Sequence, residues 1–485
     1  MNKTFRSIWN SKKQTYVAVA EIVSTGGKRT SSSVALVVSP LLSLVLAGSA
    51  WAADLPTGGQ IIGGNGSITT NGNSMTINQS TSKMAVDWQS FSIGQNKTVE
   101  FVQPSSSAVA LNRILGTDVS VIQGALKSNG QVFLINPNGV MFSKGAQVNV
   151  GSLVASTLNI KTEDFMAGNY HFEGASSNAI INQGNITADS AGTVALIAAK
   201  ITNTGQINAD AGNVLIGAGS KVKLDLGGPI KIEVEQGAID ALIEQGGGIR
   251  ADGGLVYLTA KAVGQITSTV INHTGITEAK TLATGEKGQI VLMGGMSKDR
   301  IMVGGKLDAS APNGGDGGFI ETSSAHVSFN KDLQITTAAP YGKMGTWLID
   351  PVDFTIAASG GDLTGSQLSS ALQAANVTID TTAAATQVYS ADNSLTGSNG
   401  NGDIFVKDTI TPNLTALRTL TLKAGGAINF GSGVSGEEGI ITATGNKLNV
   451  YLSAGNDGSS NGVTFNTGSS VTTNGGDLLI GGQLG

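Results

Sequence analysis

Residues Gln131–Phe142 read QVFLINPNGVMF, and they carry more structural information than any other part of the 485-residue chain. Gln131–Ile135 is almost wholly apolar and predicts a buried strand. In the tetrapeptide Asn136–Gly139, NPNG, the Asn-Pro pair starts a turn and the Asn-Gly pair supplies the positive φ that ends it. Val140–Phe142 resumes the apolar pattern. The stretch therefore predicts two strands joined by a tight turn.

The composition extends this pattern to the whole chain. Glycine contributes 68 residues, charged residues make up 13% and aromatic residues 5%, and cysteine is absent. Low charge with a slightly positive mean hydropathy argues against disorder. Abundant Gly, Asn, Thr, Ser, Val and Ile predict many short strands and many tight turns. The lack of cysteine excludes a disulfide scaffold and a cysteine-based metal site.

A degenerate repeat follows residue 53. Each copy has an apolar residue, Ala-Asp or a similar pair, a glycine and then an apolar strand. The first two copies begin 21 residues apart and the third follows after 42, which we interpret as two periods. A period near 20 predicts an all-β fold, a right-handed parallel β-helix that forms a single-stranded solenoid of the pectin-lyase type. The copies begin at Ile186, Ile207, Ile249, Leu307 and Val471.

The repeat also predicts which residues point into the coil, how long the rod is and how its N-terminal end is covered. We expect Val, Ile, Leu and Ala to point inward, Thr, Ser, Asn, Lys and Gln to point outward, and Gly and Asn to occupy the corners. Roughly twenty rungs at about 4.8 Å would give a rod on the order of 100 Å long. An open end would aggregate, so residues 53–160, which are less repetitive, predict an N-terminal β cap with the first rungs. Further rungs over residues 301–485 would contain an insertion near 358–401, with a short helix at Leu363–Ala375.

The N-terminus predicts an export signal over residues 1–52. Residues 1–33 hold six basic side chains and one acidic one, and Val34–Ala47 is a short apolar core. Ala50-Trp51-Ala52 has the small-x-small form of a cleavage site, so the mature chain would begin at Ala53. The apolar core is too short to span a membrane, and we expect no integral membrane segment after the signal is removed.

The net charge is −5, and removal of residues 1–52 would leave about −10. No basic patch remains that would indicate a nucleic-acid partner.

Several motifs of the mature chain resemble filamentous haemagglutinin-type exoproteins of Gram-negative two-partner secretion. NPNG is the signature turn of the secretion domain in that family. Segments around Trp88 and Phe91 and around Asn112 and Arg113 resemble other motifs of the same domain. Two downstream segments are similar to the high-molecular-weight adhesin branch, and the secretion region lacks the NPNL motif of other members. These downstream segments are Gly318–Ser323 and Gly345–Pro351.

The N-terminal segment Met1–Glu21 resembles the extended signal peptide region of very large Gram-negative exoproteins. Together the two resemblances imply export through the periplasm to the cell surface or the medium. They imply a secretion domain over residues 53–300 that docks on the periplasmic domains of a dedicated outer-membrane transporter.

The implied function is an adhesin that binds a receptor on host cells or other bacteria. The alternative within the family is the carrier stalk of a contact-dependent toxin or haemolysin, truncated before its effector region. The implied secretion motif is Asn136, Pro137, Asn138 and Gly139, supported by Trp88, Phe91, Asn112 and Arg113. A purely structural interpretation stays open, in which Asn136 and Asn138 only cap and bridge two strands.

Candidate catalytic chemistry is sparse, and we expect no catalytic residue, metal or cofactor. The three histidines, His171, His273 and His326, are far apart in sequence, and one Gly-Gly-Asp-Gly-Gly run is too little for tandem calcium repeats. A β-helix enzyme acting on polysaccharides is the alternative from another class, because such enzymes use clustered carboxylates. The candidates for that role are Glu321, Asp350 and Asp353.

Overall fold

The computed structural model describes residues 5–10, 15–20, 55–227, 231–264, 268–382, 400–456 and 461–481. The chain divides into two compact units, Met1–Trp51 and Ala52–Gly485. In the first unit, strands β1 (Phe5–Asn10) and β2 (Thr15–Ala20) pair in an antiparallel hairpin. The expected cleavage site at Ala50, Ala52 and Ala53 lies outside the described residues and stays a prediction.

The second unit is built on one 15-stranded sheet. All its neighbouring strands pair in parallel except the first two, as a β-helix requires. In spatial order the strands are β3 (Gln60–Gly63), β6 (Lys83–Trp88), β8 (Val109–Ile114), β11 (Gln131–Ile135), β14 (Ser152–Ser156), β18 (Thr193–Ala198), β21 (Asn213–Ala218), β26 (Leu255–Ala260), β29 (Gln289–Gly294), β32 (Phe319–Ser323), β35 (Thr346–Asp350), β37 (Asn376–Asp380), β40 (Arg418–Lys423), β43 (Leu448–Ser453) and β46 (Leu478–Gly481).

An 11-stranded sheet forms a second face of the coil. Its first pair is an antiparallel hairpin and the following pairs are parallel. Its strands are β4 (Gly66–Asn71), β5 (Ser74–Gln79), β7 (Thr98–Val102), β10 (Ala125–Ser128), β13 (Gln147–Val150), β17 (Asn185–Ala188), β20 (Gln206–Asn208), β25 (Gly248–Arg250), β28 (Ile276–Glu278), β31 (Lys306–Asp308) and β34 (Gln334–Thr336).

An 8-stranded parallel sheet forms the third face, and two shorter sheets continue the coil after residue 353. The 8-stranded sheet holds β9 (Ser120–Ile122), β12 (Val140–Phe142), β16 (Ala179–Asn182), β19 (Lys200–Asn203), β24 (Leu242–Gln245), β27 (Thr269–His273), β30 (Arg300–Val303) and β33 (His326–Phe329). The later sheets hold β36 (Phe354–Ala357), β38 (Ile404–Lys407), β41 (Ile428–Phe430) and β44 (Val463–Phe465), and β39 (Thr409–Ile410), β42 (Ile440–Thr442) and β45 (Ser470–Thr472).

The parallel β-helix and its N-terminal cap are confirmed. Strand β3 runs antiparallel to β6, and the β4–β5 hairpin covers the same end of the 11-stranded sheet. The cap therefore pairs the backbone edges of the first rung, where an open edge would recruit other chains.

The rung count from the repeat is wrong. The 15-stranded sheet holds fourteen parallel strands in the described residues, or roughly 60 Å of stacked rungs. Strand β21 pairs directly with β26, so the 42-residue spacing is one rung with an excursion and not two periods. Rungs consume between 20 and 43 residues, because excursions leave the coil at different places.

Two short helices leave the coil. Helix α1 (Thr162–Ala167) ends at Gly168, which has a left-handed φ of +88°. Helix α2 (Gly365–Ala374) lies inside the predicted range of Leu363–Ala375 and begins with a capping box between Thr364 and Gln367. Strands β35 and β37 on either side of α2 pair directly, so the helix is an excursion from one rung.

The 15-stranded sheet is buried on both faces over its first half. The prediction of a polar outer face is therefore wrong for these strands. Strand β15 (Tyr170–Glu173) pairs with β22 (Lys221–Leu224), which pairs with β23 (Ile232–Gln236), all antiparallel. This three-stranded sheet and α1 form an outer cover over a second apolar cluster. The cluster includes Leu111, Phe133, Ile135, Phe165, Phe172, Ile197 and Leu215, all fully or almost fully buried.

Two glycine ladders run along the corners of the coil. In the first, a Cβ on Gly192, Gly212 or Gly254 would lie 2.1, 1.9 or 1.8 Å from the carbonyl oxygen of the glycine one rung below. Real Cβ atoms do not come so close to backbone, so these positions need glycine for the approach itself. In the second ladder the corresponding distance is 2.2 Å at every rung. The second ladder consists of Gly205, Gly247, Gly275 and Gly305.

Gly247 of the second ladder and the adjacent Gly246, which is not part of the ladder, give a direct test of this constraint. Gly247→Ala would put a Cβ 2.2 Å from the carbonyl oxygen of Gly205, whereas the nearest atom to a Cβ on Gly246 is 3.5 Å away. We expect Gly247→Ala to lower the free energy of unfolding by about 3 kcal/mol, as overpacking does, and Gly246→Ala to leave it unchanged or slightly higher. Urea unfolding of both variants measures the difference. Equal stability of the two variants would contradict the close-approach argument.

Candidate functional site

The NPNG turn lies at the corner between the 15-stranded and the 8-stranded sheet, where it joins β11 to β12. The backbone N–H of Gly139 donates to the carbonyl oxygen of Asn136 over 3.0 Å and closes the turn. Gly139 has a φ of +116°, which strongly favours glycine. The strands and the turn predicted from this stretch are confirmed.

Asn136 is fully buried, and its amide binds the rung below. Its Nδ2 donates to the carbonyl oxygen of Asp118 and to Oγ of Ser120, both at 2.9 Å. Its Oδ1 accepts from the backbone N–H of Asn138 at 2.9 Å. The side chain therefore fixes both the shape of the turn and its position on the preceding rung.

The rest of the turn contacts the rungs on both sides. Nδ2 of Asn138 donates to the carbonyl oxygen of Gly116 at 2.8 Å, on the rung below. The carbonyl oxygen of Pro137 accepts from Oγ of Ser176 at 2.6 Å and from Nδ2 of Asn178 at 2.9 Å, in the chain that leads into the rung above. NPNG is thus a three-rung staple, in which Pro137 and Asn138 keep part of their surface in solvent.

Asn136→Ala tests the strength of this staple. The substitution leaves the buried hydroxyl of Ser120 without its donor and removes the bond to the carbonyl oxygen of Asp118. We therefore expect a loss of about 1–3 kcal/mol in the free energy of unfolding. Asn71→Ala, in the exposed β4–β5 hairpin, is the matched control and should change stability by less than about 0.5 kcal/mol. Denaturant unfolding of the two variants checks the prediction, and equal effects would refute the structural role of Asn136.

The supporting residues Trp88, Phe91 and Asn112 lie together inside the coil. Nε1 of Trp88 donates to Oδ1 of Asn112 at 3.0 Å, and Nδ2 of Asn112 donates to the carbonyl oxygen of Phe133 at 3.2 Å. The Trp88 and Phe91 rings meet edge to face with centroids 5.4 Å apart. All three side chains are buried, so this group holds β6, β8 and β11 in register, which is a packing role.

Arg113 points to the other side of β8, toward the outer cover. Its guanidinium forms a bidentate ion pair with Asp87, with both contacts at 2.9 Å. Nη1 also donates to Oγ1 of Thr162, the first residue of α1, at 3.2 Å. At the other end of α1, Nζ of Lys83 donates to the carbonyl oxygens of Phe165 and Met166 at 3.2 and 2.9 Å. Two cations on adjacent strands therefore hold both ends of the helix.

Phe133 connects this anchored helix to the NPNG strand. Its ring lies 5.6 Å from Phe165, 5.0 Å from Tyr170 and 6.4 Å from Phe172, measured between centroids. Lys83, Thr162 and this aromatic cluster were not predicted from the sequence. The unbroken apolar run of β11 could have indicated the outer cover. A strand with one face in solvent should alternate apolar and polar residues, and β11 does not.

The histidines and carboxylates lie at separate places in the fold. His171, His273 and His326 belong to β15, β27 and β33. Asp353 accepts backbone N–H bonds from Asn401 and Asp403, which is the role of a turn residue. The described residues contain no group of three or more His, Cys, Asp or Glu arranged to hold a metal ion.

Asp350 lies in unusual electrostatic surroundings. It ends β35 and lies on the strand next to Glu321. Burial, together with the Asp380 and Glu321 carboxylates, raises the pKa of Asp350 to about 7. Glu321 itself accepts a hydrogen bond from Ser323 at 2.8 Å. Such a perturbed group is found at active sites and also in structural clusters of charge.

His273 is fully buried and hydrogen-bonded at both ring nitrogens. Nδ1 lies 2.8 Å from the carbonyl oxygen of Gly304 and Nε2 lies 2.9 Å from Oγ1 of Thr277. Burial lowers the pKa of His273 to about 4 from its ordinary 6.5. The folded state therefore keeps the ring neutral at a pH where the unfolded chain protonates it.

This shift predicts a loss of stability in acid. The contribution of His273 is fully present above pH 6.5 and is lost as the pH falls from 6.5 to 4, by up to roughly 3 kcal/mol. In His273→Gln this component should disappear, so the variant should lose less stability than wild type between pH 7 and pH 4.5. Urea unfolding at the two pH values measures it, with His171→Gln as control. An unchanged acid slope in His273→Gln would refute the assignment.

No helix within the described residues is long and apolar enough to cross a membrane. A β-helix whose capped first rungs carry an outer cover, downstream of a basic and apolar N-terminus, defines a class of exported solenoid proteins. The comparisons with known proteins identify the family within that class.

The family model of the TPS secretion domain matches residues 52–309, and the model of the extended signal peptide of the type V secretion system matches residues 1–50. The chain therefore belongs to the two-partner secretion exoproteins, and it is exported through the periplasm to the cell surface or extracellular space of a Gram-negative bacterium. The resemblances that NPNG and the N-terminal segment indicated are confirmed.

Two relatives are named heme/hemopexin-binding protein and come from Haemophilus influenzae. They are 34% identical over 289 residues and 31% identical over 324 residues, or 56% and 61% of this chain. The chain spans only 30% and 33% of their length. The fold resembles the crystal structure of the HMW1 secretion domain from Haemophilus influenzae. That match has a TM-score of 0.58 and 21% identity, and it covers 87% of this chain and 99% of that one.

Proposed function

We propose that the chain is an adhesin-type exoprotein whose N-terminal domain docks on the periplasmic domains of a dedicated outer-membrane transporter. The secretion-domain match over residues 52–309 supports the transporter as partner. A receptor on host cells or on other bacteria is the second partner. In this proposal the chain crosses the outer membrane unfolded and coils at the surface.

We further propose that the NPNG turn acts in secretion by fixing the first rungs as they fold. The observation that carries this proposal is the set of contacts from one tetrapeptide to the rung below and to the chain entering the rung above. Asn136 is buried in the folded protein, so a contact with the transporter through its side chain would require an unfolded turn. Folding of the staple outside the membrane would oppose backward movement of the chain.

The secretion role predicts a specific export defect. The double variant Asn136→Ala, Asn138→Ala removes the side-chain bonds of the turn and leaves residues 1–52 intact. We expect normal arrival in the periplasm and a strong fall in surface-exposed protein, measured by protease shaving of intact cells. Asn71→Ala is the control and should reach the surface like wild type. Normal surface levels of the double variant would remove the turn from the secretion mechanism.

A second measurement separates folding from direct recognition. Purified periplasmic docking domains of the transporter are titrated with urea-unfolded wild type and double variant after rapid dilution. Equal affinity for both is expected if the turn acts through folding. Weaker binding of the double variant would assign the tetrapeptide a direct contact instead.

Binding of heme or hemopexin is a second candidate function, favoured by the names of the two relatives. The described residues give it little support, because His273 is buried and His171 and His326 lie on different sheets. Titration of the secreted protein with heme and with hemopexin distinguishes this function from adhesion. We infer no catalytic activity. Asp353 is engaged in a turn and Glu321 in a local hydrogen bond, which leaves Asp350 alone where enzymes that cleave glycans use two carboxylates.

A further inference from the structure

An open cleft of about 810 Å³ lies on the outer side of the 11-stranded sheet. It crosses five consecutive strands, β20, β25, β28, β31 and β34, and is therefore roughly 20 Å long in the direction of the rod. The second glycine ladder borders it on one side. The side chains that the argument uses are Gln206, Asn208, Arg250, Ile276, Lys306 and Gln334.

The glycine run Gly246–Gly248 at this cleft is not explained by folding alone. Only the middle residue, Gly247, is forced to be glycine by the backbone of the rung below. A Cβ on Gly246 would meet nothing closer than 3.5 Å, and one on Gly248 would meet the movable end of the Gln206 side chain. Neither outer glycine has a left-handed φ. Their shared effect is to add no side chains to the floor of the cleft, so that the Gln206 amide is free to lie over Gly248.

The polar groups that face the cleft are mostly neutral and available. The side-chain amides of Gln206, Asn208 and Gln334 form no hydrogen bond with the described part of the chain. The two cations of the cleft are already compensated, whereas the lining carboxylate of Asp332 has no ion pair within the described residues. Arg250 pairs with Asp210 at 2.6 Å, and Lys306 pairs with Glu278 at 3.1 Å and with Asp308 at 2.8 Å. An anionic polymer would therefore find no free cation among these pairs, whereas the amides can both donate and accept.

The cleft also offers one apolar contact and no strand edge. Ile276 is 51% exposed and lies on β28, directly beside Gly248 on β25. Both strands are interior to the sheet and have hydrogen-bonded neighbours on either side. A peptide cannot add to them as a further strand, because their backbone groups are already paired.

We propose that this cleft binds a neutral oligosaccharide that lies along the rod. Sugar hydroxyls donate and accept, as the free amides do, and the C–H face of a sugar ring packs on an exposed aliphatic side chain such as Ile276. Gly246 and Gly248 add no side chains to the path of the rings, and the Gln206 amide over Gly248 is the movable end of a side chain. The inference rests on the adhesin part of the proposed function, for which it names the receptor chemistry, and it is independent of the secretion role of NPNG.

The test uses the full secreted protein and immobilised tetrasaccharides. Cellotetraose, chitotetraose and mannotetraose are the neutral probes, and tetragalacturonate and an extended Ser/Thr-rich peptide are the comparison probes. We expect wild type to bind at least one neutral probe and neither comparison probe. Gly248→Asn fills the centre of the cleft and should weaken this binding at least about tenfold. Gln334→Ala removes one amide and should weaken it about fivefold.

The matched control is Gln289→Ala. Gln289 is also an exposed glutamine at the start of a strand, but it lies on the 15-stranded sheet away from the cleft. Its binding should equal that of wild type, and thermal melting should show that all three variants are folded. Should folded Gly248→Asn bind as well as wild type, or should wild type bind no neutral probe or prefer a comparison probe, the site is wrongly assigned. Adherence of the same protein to cells is measured separately, so the adhesin proposal can survive that result.

Discussion

The structure depends on the close approach of one rung's backbone to the next at the corners of the coil. Strand pairing sets a spacing of about 4.8 Å, and in the two glycine ladders the chain turns so tightly that a Cβ would overlap the carbonyl oxygen one rung below. The 68 glycines of the chain are therefore in part a geometric requirement of stacking. Residues with a side chain can occupy only those corner positions at which the backbone of the neighbouring rung leaves room for a Cβ.

The NPNG turn is an exception, in which side chains replace the glycine ladder at a corner. Asn136 and Asn138 bond to backbone carbonyls of the rung below, and Pro137 receives donors from the chain that enters the next rung. A corner made of side-chain amides fixes one register, because each amide has defined partners. The NPNG motif thus lies in the less repetitive N-terminal part of the coil, where its side-chain bonds fix how neighbouring rungs align.

The sequence predicted the fold class, the cap, the strands around NPNG and helix α2, because each has a local signature. It could not predict the number of rungs, since the spacing from β21 to β26 contains an excursion that looks like a second period. It missed the outer cover because β15, β22 and β23 come together from distant segments. The inward group of Trp88, Phe91 and Asn112 was identified by resemblance, whereas its hydrogen bonds became visible only in three dimensions.

The outer cover has a consequence for how an emerging chain gains order. Phe133 on β11 stays exposed on its outer side until Phe165 and Phe172 arrive, and the sheet that carries Phe172 is complete only at Gln236. The outer face of the early rungs therefore stays uncovered until the chain up to Gln236 lies outside. We therefore expect the first rungs and their outer cover to fold in one cooperative step. The later rungs, which lack this cover, can fold one after another.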